Sequence, residues 1–301
     1  MQLLLLGLML AFISFSAVAG DCRIDKSDPY EVDAKIIQGK FKGQCLDTKS
    51  VRSYRLLDQK IINQYNVLKH AQNKGALFAA NFFHAGKFYI AAINPSHLKN
   101  IIFQIERFPP EWLAAHTQLR FTFDSAQAIS LYDQKNPEKI LFNLSEMVLS
   151  VEAAFMRQGP NYDLWKGMHG YFGMAHRLVS LEQRYQESVA QYGHKVEQIL
   201  LSPHEKLIAN NPQWRSELLL SMLMELDRPA MNSLYHTLKV NCTNTLFRAL
   251  DKYFNYEKEA GSGLSATWPI FSQHALKKRR LIQGVSFYQT LNREFPQGPE
   301  K

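Results

Sequence analysis

Between residues 51 and 77 the side chains Leu56, Leu57, Ile61, Ile62, Tyr65 and Leu68 recur at three-to-four spacing with polar residues between them. That period predicts a helix. Gly75 breaks it, and an aromatic-rich run over 78–93 follows. Pro109-Pro110 marks a firm boundary. Beyond it the period changes: Leu119, Phe121 and Phe123 alternate with Gln118, Arg120 and Thr122, the repeat of a half-buried strand over 117–123. Residues 128–132 and 140–151 read as further strands, the second with a bend. Gly167, Gly170 and Gly173 then gather ahead of a stretch whose pattern turns helical. Leu201-Ser202-Pro203-His204-Glu205 has the form of a helix start, with Ser202 as cap, Pro203 in the first turn and Glu205 three after the cap. Another helix is predicted around 218–226. Leu246, Phe247, Leu250 and Phe254 then make one stripe of a short amphipathic helix over 243–254.

The pattern predicts an α+β protein with helices before and after a central group of strands. A mostly helical region over 20–109 packs on a core domain over 110–282, and a tail over 283–301, rich in Pro, Gly and charge, is loosely held.

Composition adds a compartment. Residues 3–15 are almost wholly apolar and are followed by small residues, with Ala17 and Ala19 where a signal peptidase reads. This predicts a signal peptide over 1–19, cut before Gly20, and a run too short for a lasting membrane helix. Asp21, immediately before Cys22, argues against lipid attachment there. No later stretch is long and apolar enough to span a bilayer. With 46% apolar residues, 19 Phe, 13 Tyr and 4 Trp, the chain has the means to fill a large core. The net charge of +8 favours anionic lipid headgroups or cell-wall polymers, whereas export and the lack of any zinc-finger or phosphate-loop pattern argue against nucleic acid.

In an oxidising compartment Cys22 and Cys45 are the expected disulfide, which leaves Cys242 as a thiol. Cys242 precedes the amphipathic stripe. A thiol in the first turn of a helix faces unpaired N–H groups and the positive end of the dipole, and both favour thiolate. The alternative is a buried structural cysteine, a common fate of free thiols. Ten histidines compete as partner. His116, just before the strand over 117–123, has the best setting; its alternative is a surface or capping histidine. His84 is a second candidate, while His169, His194 and His204 lie in helical or turn contexts. No metal-ligand spacing and no cofactor motif is present. Lys277, Lys278, Arg279 and Arg280 form a basic run that either is solvated or rests on anionic headgroups, where each base near the surface contributes about 1 kcal/mol.

Four segments in order resemble the bacterial periplasmic Lnb-type domain, also known as a domain of unknown function. They are His116-Thr117-Gln118-Leu119-Arg120-Phe121, the glycine-rich Trp165 to Gly173 segment with Gly167 and Gly170, the Leu201-Ser202-Pro203 turn, and Asn241-Cys242-Thr243 through Asp251. The resemblance covers 110–282. It implies a circularly permuted papain-like core, related to NlpC-type cell-wall peptidases, in which a strand histidine precedes a cysteine at a helix N-terminus. Cys242 is then the nucleophile and His116 the base, with Asn241, Thr243, Arg120, Gly167 and Gly170 as motif positions. Better-known members are implicated in moving an acyl chain on lipoproteins, so the implied substrate is an envelope lipid, a lipoprotein or, alternatively, a cell-wall peptide. The implied location is the periplasm, with peripheral membrane contact. Two features depart from the family: there is no membrane-spanning segment after the signal, and His194 and Lys195 stand where an Arg is expected. A non-catalytic exported binding module is the third reading, and the residue that would orient His116 is sought among polar positions on the following strands.

Overall fold

The structure, a computed structural model, describes residues 20–112, 114–209, 211–227, 233–256, 267–283 and 287–299. The expected signal peptide over 1–19 lies outside them. The described part is mixed α and β, built on one large sheet. Its strands are β1 (Arg55–Leu56), β2 (Leu77–His84), β3 (Lys87–Ile93), β4 (Leu98–Arg107), β5 (Ala115–Phe123), β6 (Ile129–Asp133), β7 (Ile140–Leu144), β8 (Glu146–Ala154), β9 (Gly173–Ser180), β10 (Lys195–Leu200) and β11 (Phe287–Tyr288). They lie in the order β11-β10-β4-β5-β8-β9-β2-β3-β6-β7, with β1 beside β2. The β2–β9 pair is parallel and the other pairs are antiparallel.

The helices are α1 (Gln59–Ile62), α2 (Asn66–Gln72), α3 (Leu164–Met168), α4 (Leu181–Tyr185), α5 (Glu205–Ile208), α6 (Trp214–Leu226), α7 (Cys242–Tyr253), α8 (Ser272–Lys278) and α9 (Leu291–Glu294). The odd positions of β5 (Leu119, Phe121, Phe123) join Met147 and Leu149 of β8 and Leu218, Met222, Leu246, Phe247 and Leu250 of α6 and α7 in the main core. On the opposite face a smaller core of Val148, Val179, Leu181, Tyr185 and Leu291 places α4 and α9.

Several expectations are corrected. The segment over 20–109 is not mostly helical: it supplies β1 to β4, and β4 pairs with β5 across the Pro109-Pro110 turn, so its strands share the sheet of the 110–282 segment. The helix expected over 51–77 divides into β1, which pairs with β2, and the short α1 and α2. Its apolar spacing is real, because Ile62 and Leu68 fill a satellite core with Phe78 and Ile90. The aromatic run over 78–93 is the β2–β3 hairpin, whose turn residues Ala85 and Gly86 have φ of 46° and 76°. Both central positions of such a two-residue turn need positive φ. Residues 173–180 are a strand, not a helix, buried on both faces and therefore lacking alternation. The helix after the Leu-Ser-Pro turn begins at Glu205 with His204 as its cap, one turn position later than Ser202 allows. The strand over 117–123 and the amphipathic helix over 243–254 appear as β5 and α7, and the bend in 140–151 is the break at Ser145 between β7 and β8.

The tail is held. Leu291 is buried, Asn292 accepts from the Val196 N–H at 3.1 Å, and Glu294 takes a two-point ion pair from Arg120 at 2.7 and 2.9 Å. A Cys22–Cys45 disulfide with Cα atoms 5.2 Å apart fixes the other end. Among the described residues no helix is long and apolar enough to cross a membrane.

Candidate active site

The free cysteine, Cys242, is the first residue of α7 and is 2% exposed. Asn241 sets it there. The Asn241 side chain accepts from the Asn244 N–H at 2.9 Å, and the Asn244 side chain accepts from the Asn241 N–H at 2.9 Å. This reciprocal cap satisfies two orphan donors and fixes the start of the helix. The Asn241 amide also donates to the Thr237 and Thr267 carbonyls at 2.5 and 2.9 Å, so the cap is tied to two neighbouring loops. Behind the thiol, the Thr117 hydroxyl donates to Thr243 Oγ1 at 3.1 Å, which locks the tip of α7 onto β5.

His116 stands one residue before Thr117, near the start of β5, and lines the same cavity as Cys242 and Asn241. Its Nε2 is 2.7 Å from Ser150 Oγ on β8. That contact leaves Nδ1 for the thiol. Burial pushes the Cys242 thiol up, but the charge of the facing imidazolium and a hydrogen bond with it outweigh burial. With help from the Thr117 backbone N–H and the Thr243 hydroxyl, the thiol pKa falls to about 6. The converse holds for His116: burial disfavours its charge, yet the Cys242 thiolate more than offsets this and raises the pKa above the ordinary imidazole value. At neutral pH the two groups stand as thiolate and imidazolium.

The cavity is about 220 Å³. One wall is apolar, from Phe108, Phe155, Leu164 and Pro269. The other is ionic: Arg184 pairs with Glu106 at 2.5 Å and Glu152 at 3.1 Å, and His194 Nδ1 meets Glu106 at 2.8 Å. Burial opposes the charge on Glu106, but Arg184 and the His194 hydrogen bond hold its carboxyl well below the usual range. Tyr235 also reaches the thiol. Burial, and then the Cys242 charge, pushes its phenol well above the ordinary value, so it stays a neutral hydroxyl donor hydrogen-bonded to Cys242 and Tyr162.

Set against family models, curated proteins and solved structures, the chain has no significant match. The site therefore has to be read from its own residues.

Of the positions singled out in the sequence, the fold brings His116, Cys242, Asn241 and Thr243 together. Gly167 supports the cavity wall from outside: a Cβ there would meet Thr237 Oγ1 at 2.1 Å, so only glycine lets α3 pass the 237 loop. Gly170 serves a turn, at φ +71°. Arg120 lies two turns of pleat further along β5 and is buried, bonded to Glu146, Glu294 and Gln198 at 2.6–2.9 Å. It ties the sheet to α9 and does not line the cavity.

The basic run is split. Lys277, Lys278 and Arg280 are exposed, but Arg279 is 2% exposed and bonds Asp251 at 2.5 and 2.9 Å while its guanidinium packs over Phe247 and Tyr256. Arg279 is thus corrected from a headgroup contact to a core ion pair, because the turn after α8 points it inward onto α7. His84 is buried against Ser180 Oγ at 2.8 Å, His169 bonds the Trp165 carbonyl at 2.7 Å, and His204 caps α5. None of the three lines the cavity. Ser150, Tyr235, Glu106, Arg184 and His194 were missed as site residues. The available signal was polar residues at single positions of otherwise apolar strands, such as Ser150 within 147–151 and Glu106 after Ile105. Among the described residues no cluster of three or more His, Cys, Asp or Glu side chains is set to hold a metal ion.

Proposed function

We propose that this chain is an exported thiol enzyme that uses Cys242 and His116 to transfer or hydrolyse an acyl group held as an ester or amide in the bacterial envelope. The observation that carries the reading is a helix-tip thiol with a pKa of about 6, facing a raised-pKa histidine inside one cavity. Buried structural cysteines have the opposite shift. The order of a strand histidine before a helix-tip cysteine is also that of the permuted papain-like, Lnb-type arrangement that the sequence motifs resemble.

In this reading the Cys242 thiolate attacks the substrate carbonyl carbon, and negative charge moves to the carbonyl oxygen. The Cys242 and Thr243 N–H groups, which have no intrahelical acceptor in the first turn, and the Tyr235 hydroxyl are the donors that receive it. Collapse of the adduct breaks the bond to the leaving alcohol or amine, which takes its proton from the His116 imidazolium, and leaves a thioester. Water or an amine then attacks the thioester, His116 removes its proton, and the thiolate is expelled. Ser150 holds the ring in register for both transfers. The wall of Phe108, Phe155, Leu164 and Pro269 favours a fatty acyl chain of a lipid or lipoprotein.

The ionic wall of Glu106, Arg184 and Glu152 favours a second reading, an amidase on cell-wall peptides, whose charged groups would meet it. Assaying acyl esters beside cell-wall peptides separates the two. Alkylation by iodoacetamide across pH, in wild type and His116→Ala, tests both at once. A Cys242 of ordinary pKa, unmoved by the substitution, overturns the thiol-enzyme reading and leaves a non-catalytic binding module.

A further inference from the structure

We propose that the mouth of the Cys242 cavity is a membrane-docking face, on which exposed aromatic side chains enter the lipid–water boundary of an anionic bilayer. Five aromatic side chains are exposed among the described residues: Trp112, Phe142, Trp165, Tyr192 and Phe271. Four of them stand within two residues of a side chain that lines the cavity: Trp112 beside Ala114, Trp165 beside Leu164, Tyr192 beside His194, and Phe271 beside Pro269. Trp268, half-buried, lines the cavity itself. The two most exposed, Trp112 at 73% and Trp165 at 67%, give up a large apolar area to water. Nothing in the packing of α3 or the 110–114 turn requires this.

Local bonds gather these segments around one opening. The Thr237 N–H donates to the Gly167 carbonyl at 3.1 Å, which sets α3 and Trp165 against the 237 loop. Asn241, the cap of the thiol helix, bonds the Thr267 carbonyl and so holds the segment leading to Trp268 and Phe271. The Ala114 N–H donates to the Pro110 carbonyl at 2.9 Å and closes the turn that presents Trp112. Leu238, 38% exposed, adds an aliphatic side chain to the same ring.

Two features select a bilayer as the occupant. The first is charge: Lys166 follows Trp165, the exposed Lys239 follows Leu238, and the exposed Lys277, Lys278 and Arg280 follow Phe271. Aromatic side chains with bases beside them match the two layers of an anionic interface, where Trp sits at headgroup depth and each nearby base adds attraction. The second is continuity, because the exposed aromatics run into an apolar cavity wall and not into a polar groove of the kind a sugar polymer needs. The docking face rests on the acyl-transfer reading only for its purpose, which is to bring a lipid ester to the thiol without a membrane span. Binding itself requires no chemistry at Cys242.

The test uses residues 20–301, which hold every described element. Flotation with phosphatidylglycerol vesicles is compared with phosphatidylcholine vesicles, and tryptophan quenching by lipids brominated in the acyl chains reports insertion. Wild type is expected to float with phosphatidylglycerol and to be quenched. Combined Trp112→Ala, Trp165→Ala and Phe271→Ala should lower binding more than about tenfold. Phe142→Ala, at an edge strand away from the cavity, should leave it unchanged. Lys277→Gln and Arg280→Gln should each weaken binding by about fivefold, and added salt should weaken it further. Cys242→Ser should bind as wild type does, which separates this proposal from the thiol chemistry. Absence of quenching in wild type overturns the docking face even where Cys242 proves reactive. So does equal binding by the aromatic triple variant, or loss in that variant of binding to a cell-wall glycan instead of vesicles.

Discussion

Ser150 Oγ lies 2.7 Å from His116 Nε2, on the strand next to the one that carries the histidine. The hydroxyl stops rotation of the ring and turns Nδ1 to the Cys242 thiol. One hydrogen bond of this kind contributes about 1 kcal/mol. Ser150→Ala is therefore expected to slow alkylation of Cys242 by about fivefold at pH 7, and Ser150→Thr to restore it. Thiol-labelling kinetics measure both. Equal rates in all three proteins would remove Ser150 from the site.

The thiol itself should titrate low. Half of Cys242 is expected to be thiolate near pH 6, with reactivity rising through that point. The sign follows from the partner: His116⁺ stabilises the thiolate, so His116→Ala leaves burial unopposed and moves the midpoint upward by about two units or more. Turnover should be bell-shaped. It falls below pH 6 as the thiolate is protonated and falls again above the raised His116 pKa as the general acid is lost.

Arg279 and Lys277 are neighbours in the basic run with opposite fates. Removing Arg279 leaves the Asp251 carboxylate buried without its partner, which costs about 3–5 kcal/mol. Lys277→Ala, on the exposed side of α8, should stay within about 0.5 kcal/mol of wild type. Urea denaturation of the two variants distinguishes these outcomes.

Gly167→Ala puts a Cβ 2.1 Å from Thr237 Oγ1, a β-branched side chain already engaged by the Tyr162 hydroxyl at 3.2 Å. The expected loss is about 1–3 kcal/mol, with a displaced 237 loop. Because that loop carries the carbonyl that receives the Asn241 amide, Cys242 labelling should slow as well. A variant as stable and as reactive as wild type would show that the helix and loop separate freely.

Reduction of Cys22–Cys45 should lower stability by about 3 kcal/mol, the loop-closure value for a separation of 23 residues. Cys242 labelling at pH 7 should persist in the reduced protein at temperatures where it remains folded, since neither half of the disulfide lines the cavity.

The sequence by itself determined the elements whose physics is local. Alternation along Leu119, Phe121 and Phe123 specifies β5, the stripe of Leu246, Phe247 and Leu250 specifies α7, and the Asn241 cap places Cys242 at a helix tip. It also marked Cys22 with Cys45 as the disulfide and Cys242 as the free thiol. Tertiary structure decided what depends on neighbours distant along the chain. A strand buried on both faces, such as β9, has lost the period that would identify it, and β1 is a strand only because β2 lies beside it. The same holds at the site. Ser150, Glu106, Arg184 and Tyr235 are placed by strand register and loop packing, and no local spacing encodes which of them will face His116 and Cys242. Arg279 makes the point most sharply: in the chain it is one of four like charges, and only the turn after α8 sends it inward to Asp251 while its neighbours stay in water.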